Sequence, residues 1–180
     1  MSARRLPASG HRRQAWKNGL GISRVIAEDP VDAGFDAMRW QVSATEIGAD
    51  CPFSSLPGLD RRFLVTGGVG VELTVDGASH RVDASNGVFA FRGDATTHCR
   101  LLDGPVSVFN VIVRRGKVAA NVAFHASGAL VVTAGPGDIL VAVDLPGLEA
   151  WMLEEPGTAT LDAPATGGRI AVVRITRAPK

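Results

Sequence analysis

The amino-acid sequence predicts an all-β protein made of two jelly-roll halves. Three observations carry that prediction. Apolar and polar residues alternate with period 2 over short, Val-rich runs. Turn chemistry recurs between them roughly every 8–12 residues. No segment sustains a helical period, so at most a stray turn of helix is expected.

Taken in order, Trp40, Val42 and Ala44 alternate with Gln41, Ser43 and Thr45, as on a half-buried strand. Val71–Asp76, Val88–Phe91 and Val106–Val113 are short runs rich in valine and phenylalanine. Val118, Ala120, Val122 and Phe124 alternate again, and Leu140–Asp144 and Ile170–Thr176 close the set. Asp76-Gly77, Asn86-Gly87, Asp103-Gly104-Pro105, Gly135-Pro136-Gly137, Pro146-Gly147 and Pro156-Gly157 separate such pieces with residues that suit tight turns. About a dozen strands are expected in all. Gly67-Gly68-Val69-Gly70 precedes a strand rather than a helix, so it reads as a hairpin and not as a phosphate loop.

A strand–turn–strand–turn–strand pattern beginning at Val71 recurs from Leu140, a separation of roughly 65–70 residues that fits a duplicated jelly roll. The last strands also correspond, Val106–Val113 with Ile170–Thr176. The halves are expected to meet near Arg115-Gly116-Lys117: 1–116 as an N-terminal half carrying the site, and 117–180 as a C-terminal half packed with it into one compact unit. Polar residues cluster in the first half, so the site belongs there.

Composition narrows the function. The chain has 180 residues, 46% hydrophobic and 21% charged, with a formal net charge of +1. That charge offers no global attraction for nucleic acid or an acidic membrane. Arg4, Arg5, Arg12, Arg13 and Lys17 make the start basic, but aromatic residues do not alternate with them, Trp16 alone falling among them, so a nucleic-acid role is not expected. No run approaches the ~18 apolar residues of a spanning helix, and no secretory signal follows the basic start. Cys51 and Cys99 lack metal-like spacing and read as two reduced thiols of a cytoplasmic protein.

Catalytic signatures are missing. His11, His80, His98 and His125 stand singly, with no His-x-His or His-Glu-x-x-His spacing, so no metal and no cofactor are expected. There is no Gly-x-Ser-x-Gly elbow. His98 and Cys99 are neighbours, and on a strand would point to opposite faces. A His98–Asp94 pair for proton transfer is the one enzymatic alternative the residues offer.

What remains is a set of binding groups. In Pro52-Phe53-Ser54-Ser55-Leu56-Pro57-Gly58-Leu59-Asp60-Arg61, Pro57-Gly58 fits the centre of a type II turn that delivers Asp60 and Arg61 to a strand entrance. The Arg61 guanidinium suits a carboxylate, because it can grip both oxygens. Its structural alternative is a salt bridge to Asp60 or Asp94. In Trp16-Lys17-Asn18-Gly19, Lys17 and Asn18 add a point charge and an amide, while Trp16 and Phe53 supply an apolar wall. Phe91-Arg92-Gly93-Asp94 places an acid at a strand end. Asn110 sits inside an apolar strand, where burial without a partner costs roughly 1–3 kcal/mol, so it either satisfies backbone or faces a polar cavity. Arg114 shares its strand face.

Together these segments resemble the HutD/Ves family of bicupins. The matching pieces are Trp16-Lys17-Asn18-Gly19-x-Gly21, Trp40-x-Val42-Ser43, Pro52-Phe53-Ser54-x-Leu56-Pro57-Gly58-Leu59-Asp60-Arg61, Phe91-x-Gly93-Asp94, and Phe109-Asn110-Val111 with Arg114-Arg115-Gly116. They span about the first 115 residues, in the family's order. The resemblance implies a metal-free double jelly roll of the RmlC-like cupin type. It also implies a sensor or governor of histidine utilisation that binds a small carboxylated metabolite such as N-formyl-L-glutamate. The residues expected at the ligand are Trp16, Lys17, Asn18, Ser43, Phe53, Ser54, Asp60, Arg61, Phe91, Asp94, Asn110 and Arg114. The rival is a metal-free cupin isomerase or hydrolase with His98 or Asp94 as base. Leu20, Gln41 and Cys51 depart from the family pattern. Exposed edge strands leave a homodimer open.

Overall fold

Strands and the turns between them account for nearly all of the chain in the computed structural model, which describes residues 2–163 and 167–177. In chain order the strands are β1 (Arg4–Leu6), β2 (Arg12–Ala15), β3 (Ile22–Asp29), β4 (Trp40–Ile47), β5 (Cys51–Pro52), β6 (Leu59–Gly67), β7 (Val71–Val75), β8 (Ala78–Val82), β9 (Phe89–Arg92), β10 (Thr97–Leu101), β11 (Val106–Arg114), β12 (Val118–Ala126), β13 (Ala129–Ala134), β14 (Ile139–Asp144), β15 (Ala150–Leu153), β16 (Gly157–Asp162) and β17 (Arg169–Arg177). One α-helical turn, α1 (Gly34–Ala37), and one 3-10 turn at Ala8–Gly10 interrupt them. The fold is an all-β bicupin.

The chain divides into two units. One is Arg12–Arg115, and the other combines Met1–His11 with Gly116–Lys180. The N-terminal half therefore begins at Arg12 and not at residue 1. The reason is pairing: β1 adds to the edge of the later unit, with Arg4 opposite Met152 and Leu6 opposite Ala150.

In the Arg12–Arg115 unit a six-stranded sheet runs β2-β3-β4-β11-β6-β9, and a four-stranded sheet runs β5-β10-β7-β8. Ile47, Phe63, Val65, Val106 and Val108 of the first pack with Cys51, Val71, Leu73, Val82 and Cys99 of the second. Full burial of a valine, leucine or phenylalanine contributes about 1.5–3 kcal/mol, against roughly 0–1 for an exposed ion pair. This cluster, rather than surface pairs such as Arg100–Glu72, therefore holds the sheets together. Cys51 and Cys99 face each other across β5 and β10 as free thiols. Burial pushes the Cys99 thiol up to about 12.

Gly67-Gly68-Val69-Gly70 is not a hairpin, since β6 and β7 lie in different sheets and do not pair. It is the corner where the chain changes sheet. A Cβ on Gly68 would stand 2.5 Å from the Pro105 carbonyl oxygen, so the crossing requires glycine there.

The second unit has a five-stranded sheet, β1-β15-β14-β17-β12, and the pair β13-β16. Its core joins Val132, Leu140, Leu153, Leu161, Ile170 and Val172. The two units share a pattern: β11 lies between β4 and β6, as β17 lies between β12 and β14. The match of Val106–Val113 with Ile170–Thr176 therefore corresponds to equivalent central strands. The match of β7 with β14 does not, because β7 is in the small sheet of its unit and β14 in the large one. The equivalent of β14 is β6.

Candidate functional site

One face of the six-stranded sheet forms the floor of a cleft of about 560 Å³, counting the space at its open mouth. Period 2 decides which side chains reach it. On β4 these are Gln41, Ser43, Thr45 and Ile47, on β11 Asn110 and Ile112, and on β6 Arg61 and Phe63. Register sets them in rows. Ser43 lies opposite Asn110, which lies opposite Phe63; Gln41 lies opposite Ile112, which lies opposite Arg61. Ser43 (2% exposed) and Asn110 (9%) are buried, and neither side chain makes a hydrogen bond within the described residues. Their polar atoms are left for whatever occupies the cleft. β4 is consequently buried on both faces, and its simple alternation hides this.

Two loops build the rim. Residues 16–21 join β2 to β3, closed by Trp16 N–H to the Gly21 carbonyl (2.9 Å) and Gly19 N–H to the Trp16 carbonyl (2.9 Å). The Trp16 ring lies flat on Gly21, where a Cβ would come within 2.7 Å of it, and the indole N–H donates to Ser23 Oγ (3.0 Å). This is why the motif ends in Gly-x-Gly: Gly19 takes a positive φ of 73°, and Gly21 makes room for the ring. The second loop is the Pro52–Arg61 segment. Its turn is the expected type II, with Leu59 N–H donating to the Leu56 carbonyl (3.2 Å) and Gly58 at φ 73°. Gly93 packs under it, donating to the Leu59 carbonyl (2.7 Å) and accepting from Leu56 N–H (2.7 Å).

Arg61 dominates the electrostatics. It is stacked 5.4 Å over Phe53 and 5.9 Å over Phe91, and its Nη2 donates to the Ser54 carbonyl at 2.5 Å. Its Nε is buried without a hydrogen-bond partner. Burial in these surroundings pushes its pKa down to about 10. No carboxylate among the described residues pairs with it, and the cleft is lined by two cations, Arg61 and Lys17, with no acid. A buried cation facing a cleft without an acid is stabilised by an anion that enters.

The structural alternative for Arg61 fails. Asp60 and Asp94 both belong to Arg115, whose Nη2 lies 2.7 Å from Asp60 and 3.0 Å from Asp94. Asp60 precedes Arg61 on the strand and points to the other face. The hydrogen bond from Arg115 holds the Asp94 carboxyl below its usual range.

Of the expected ligand residues, Trp16, Lys17, Ser43, Phe53, Ser54, Arg61 and Asn110 line the cleft. Five do not. Asn18 ties the rim loops together, donating from Nδ2 to the Pro52 carbonyl (2.9 Å) and from its N–H to Ser54 Oγ (3.1 Å). Asp60 and Asp94 form the Arg115 cluster. Phe91 stands behind Arg61, off the lining. Arg114 turns to α1, donating from Nη2 to the carbonyls of Phe35 (2.7 Å) and Asp36 (2.9 Å) and from Nε to that of Met38 (3.1 Å). His98 is exposed on β10 and also lies off the cleft.

Sequence reasoning missed Gln14, Ser23, Gln41, Thr45 and Phe35 of the lining. Gln41 and Thr45 were within reach, being two residues either side of Ser43 on one strand. Phe35 arrives on α1 and carried no signal. Among the described residues no three His, Cys, Asp or Glu side chains cluster so as to hold a metal ion.

The sequence model of the HutD family matches residues 8–163. An uncharacterised 21.2 kDa protein from the hutC 3′ region of Pseudomonas putida is 36% identical over 107 residues, 59% of this chain and 56% of that protein. The protein Ves of Citrobacter koseri is 30% identical over 110 residues, again 59% and 56%. The match thus spans little more than half the length of these curated relatives. HutD from Pseudomonas fluorescens SBW25, solved in a formate condition, superposes with a TM-score of 0.79 at 27% identity, covering 99% of this chain and 100% of that one.

Proposed function

The chain belongs to the HutD family, and we propose that it binds a small carboxylated metabolite, N-formyl-L-glutamate being the candidate, as a sensor or governor of histidine utilisation. One observation carries the reading: a buried guanidinium without an acidic partner faces a cleft that contains no acid. A carboxylate accepting from Arg61 would recover the charge lost to solvent, by hydrogen bonds worth roughly 1.5–3 kcal/mol. Lys17, exposed at the rim, adds attraction for a second negative group and for the encounter itself. Asn110, one strand away from Phe63 and Arg61, and Ser43, two strands away, offer an amide and a hydroxyl to orient the rest of the molecule.

A turnover role loses the base assigned to it. Asp94 is engaged by Arg115 and Arg92, and neither it nor His98 lines the cleft. The lining contains no His, Cys, Asp or Glu at all. Calorimetric titration with N-formyl-L-glutamate, glutamate, urocanate and a neutral formylated amide, each incubated afterwards to look for product, tests the reading. Saturable binding of the formylated acid without product supports it. Product formation contradicts the sensor role, and no binding of any carboxylate contradicts the ligand class.

A further inference from the structure

Gln41, 2% exposed on the cleft floor, has both hydrogens of its side-chain amide committed. Nε2 donates to Gln14 Oε1 (2.8 Å) and to Glu28 Oε2 (3.0 Å). Glu28 reaches this position because of a bulge in β3. Val25 lies opposite Ser43, but beyond Ile26 the register shifts by one, so that Glu28 instead of Ala27 lies opposite Gln41. The other Glu28 oxygen accepts from Arg12 Nη2 (2.5 Å) and from the Asp32 N–H (3.1 Å). Burial alone would raise the Glu28 pKa, but hydrogen bonds from Arg12, Gln41 and Asp32 outweigh it and lower the value, so the group is ionised.

An ionised carboxylate only accepts. It therefore dictates which way the Gln41 amide points, and Gln41 in turn dictates that of Gln14, whose oxygen is used. Two groups remain: Gln41 Oε1, an acceptor, and Gln14 Nε2, a donor. Neither makes another hydrogen bond among the described residues, and both side chains line the cleft.

Resting on the carboxylate reading above, we infer that Gln14 and Gln41 form a second subsite, which selects a neutral carboxamide or formamide group on the same ligand. The amide carbonyl accepts from Gln14 Nε2 and the amide N–H donates to Gln41 Oε1. A second carboxylate is a poor occupant, since it has no hydrogen to give and sets its charge against the Gln41 oxygen. A ketone or ester would satisfy Gln14 alone. Arg61 and Gln41 lie on strands two spacings apart, with Ile112 between them, so their backbones are about 10 Å apart. One small molecule with a carboxylate at one end and an amide at the other can reach both.

The test uses a matched pair of probes, glutarate and its mono-amide glutaramate, titrated calorimetrically into the wild type, Arg61→Ala and Gln14→Leu. The wild type is expected to bind glutaramate roughly tenfold more tightly than glutarate, the value of one good hydrogen bond. Arg61→Ala should abolish binding of both. Gln14→Leu should shrink the preference to under about threefold, with a lowered unfolding temperature because one Gln41 amide hydrogen loses its acceptor. Arg61-dependent binding of both acids with equal affinity, or tighter for glutarate, overturns the subsite and leaves the carboxylate reading standing. So does a Gln14→Leu variant that weakens both probes by the same factor, the mark of a structural role. Binding of neither probe, or binding indifferent to Arg61, overturns the carboxylate reading and this inference with it. If Gln14→Leu does not fold, the wild-type preference decides.

Discussion

The backbone N–H of Asn18 donates to Ser54 Oγ at 3.1 Å, while its side chain donates to the Pro52 carbonyl at 2.9 Å. Two loops far apart in sequence are thereby locked into one rim, with Lys17 and Phe53 as the neighbours that line the cleft. Asn18 acts through Lys17, and its removal should behave accordingly. In a double-mutant cycle of Lys17→Met and Asn18→Ala, each single change should weaken N-formyl-L-glutamate binding, and the pair should cost little more than the worse of the two. Additive losses measured by calorimetry would mean that Asn18 has a separate contact with the ligand.

Asn110 sits in the middle of β11 with its side chain unsatisfied by protein. Its polar atoms open on the cleft and no protein group depends on them for a hydrogen bond, so an apolar residue of similar size orphans no partner. Asn110→Leu should leave the stability of the free protein within about 0.5 kcal/mol of the wild type, or above it, in denaturant unfolding. The same variant should lose affinity for the carboxylate ligand. Destabilisation would show that Asn110 serves the fold.

Arg114 carries the opposite signature. Its guanidinium satisfies carbonyls of Phe35, Asp36 and Met38 that the single turn of α1 leaves open. Arg114→Ala should lower stability by roughly 2 kcal/mol, the scale of hydrogen bonds from a charged donor. Its dissociation constant, measured where the variant is still folded, should change little. A lost affinity in a fully stable variant would return Arg114 to the ligand set.

Glu28 sets an acid limit. Its pKa is below 4.5 in the folded protein, so its contribution to stability is full above that value and disappears as pH falls through the folded one. Glu28→Gln should be less stable than the wild type near neutral pH. The gap in unfolding temperature should close as pH drops below 4.5. A gap independent of pH would assign the loss to packing and not to charge.

Much of this was legible beforehand, and the failures have physical causes. Period 2 identified β4, and turn chemistry identified Pro57-Gly58, because both are local. The cationic floor was readable from Arg61 and its phenylalanines. Non-local pairing was not readable. Nothing in the order of residues says that β1 joins β15, that Arg115 takes both Asp60 and Asp94, or that Arg114 leaves the strand face it shares with Asn110 to hold α1. The Ile26 bulge is equally silent, yet it places Glu28 beside Gln41 and so sets the polarity of one end of the cleft.

If Arg61 is buried for the ligand's sake, its removal costs affinity and not stability. The most direct measurement is the dissociation constant of N-formyl-L-glutamate for the wild type and Arg61→Ala, with thermal unfolding of both in its absence. Affinity should fall by more than about tenfold, with an unfolding temperature no lower than that of the wild type, because the variant no longer buries an unpaired cation. A variant that unfolds easily yet binds as before when folded would make Arg61 a structural residue and remove it from the ligand site.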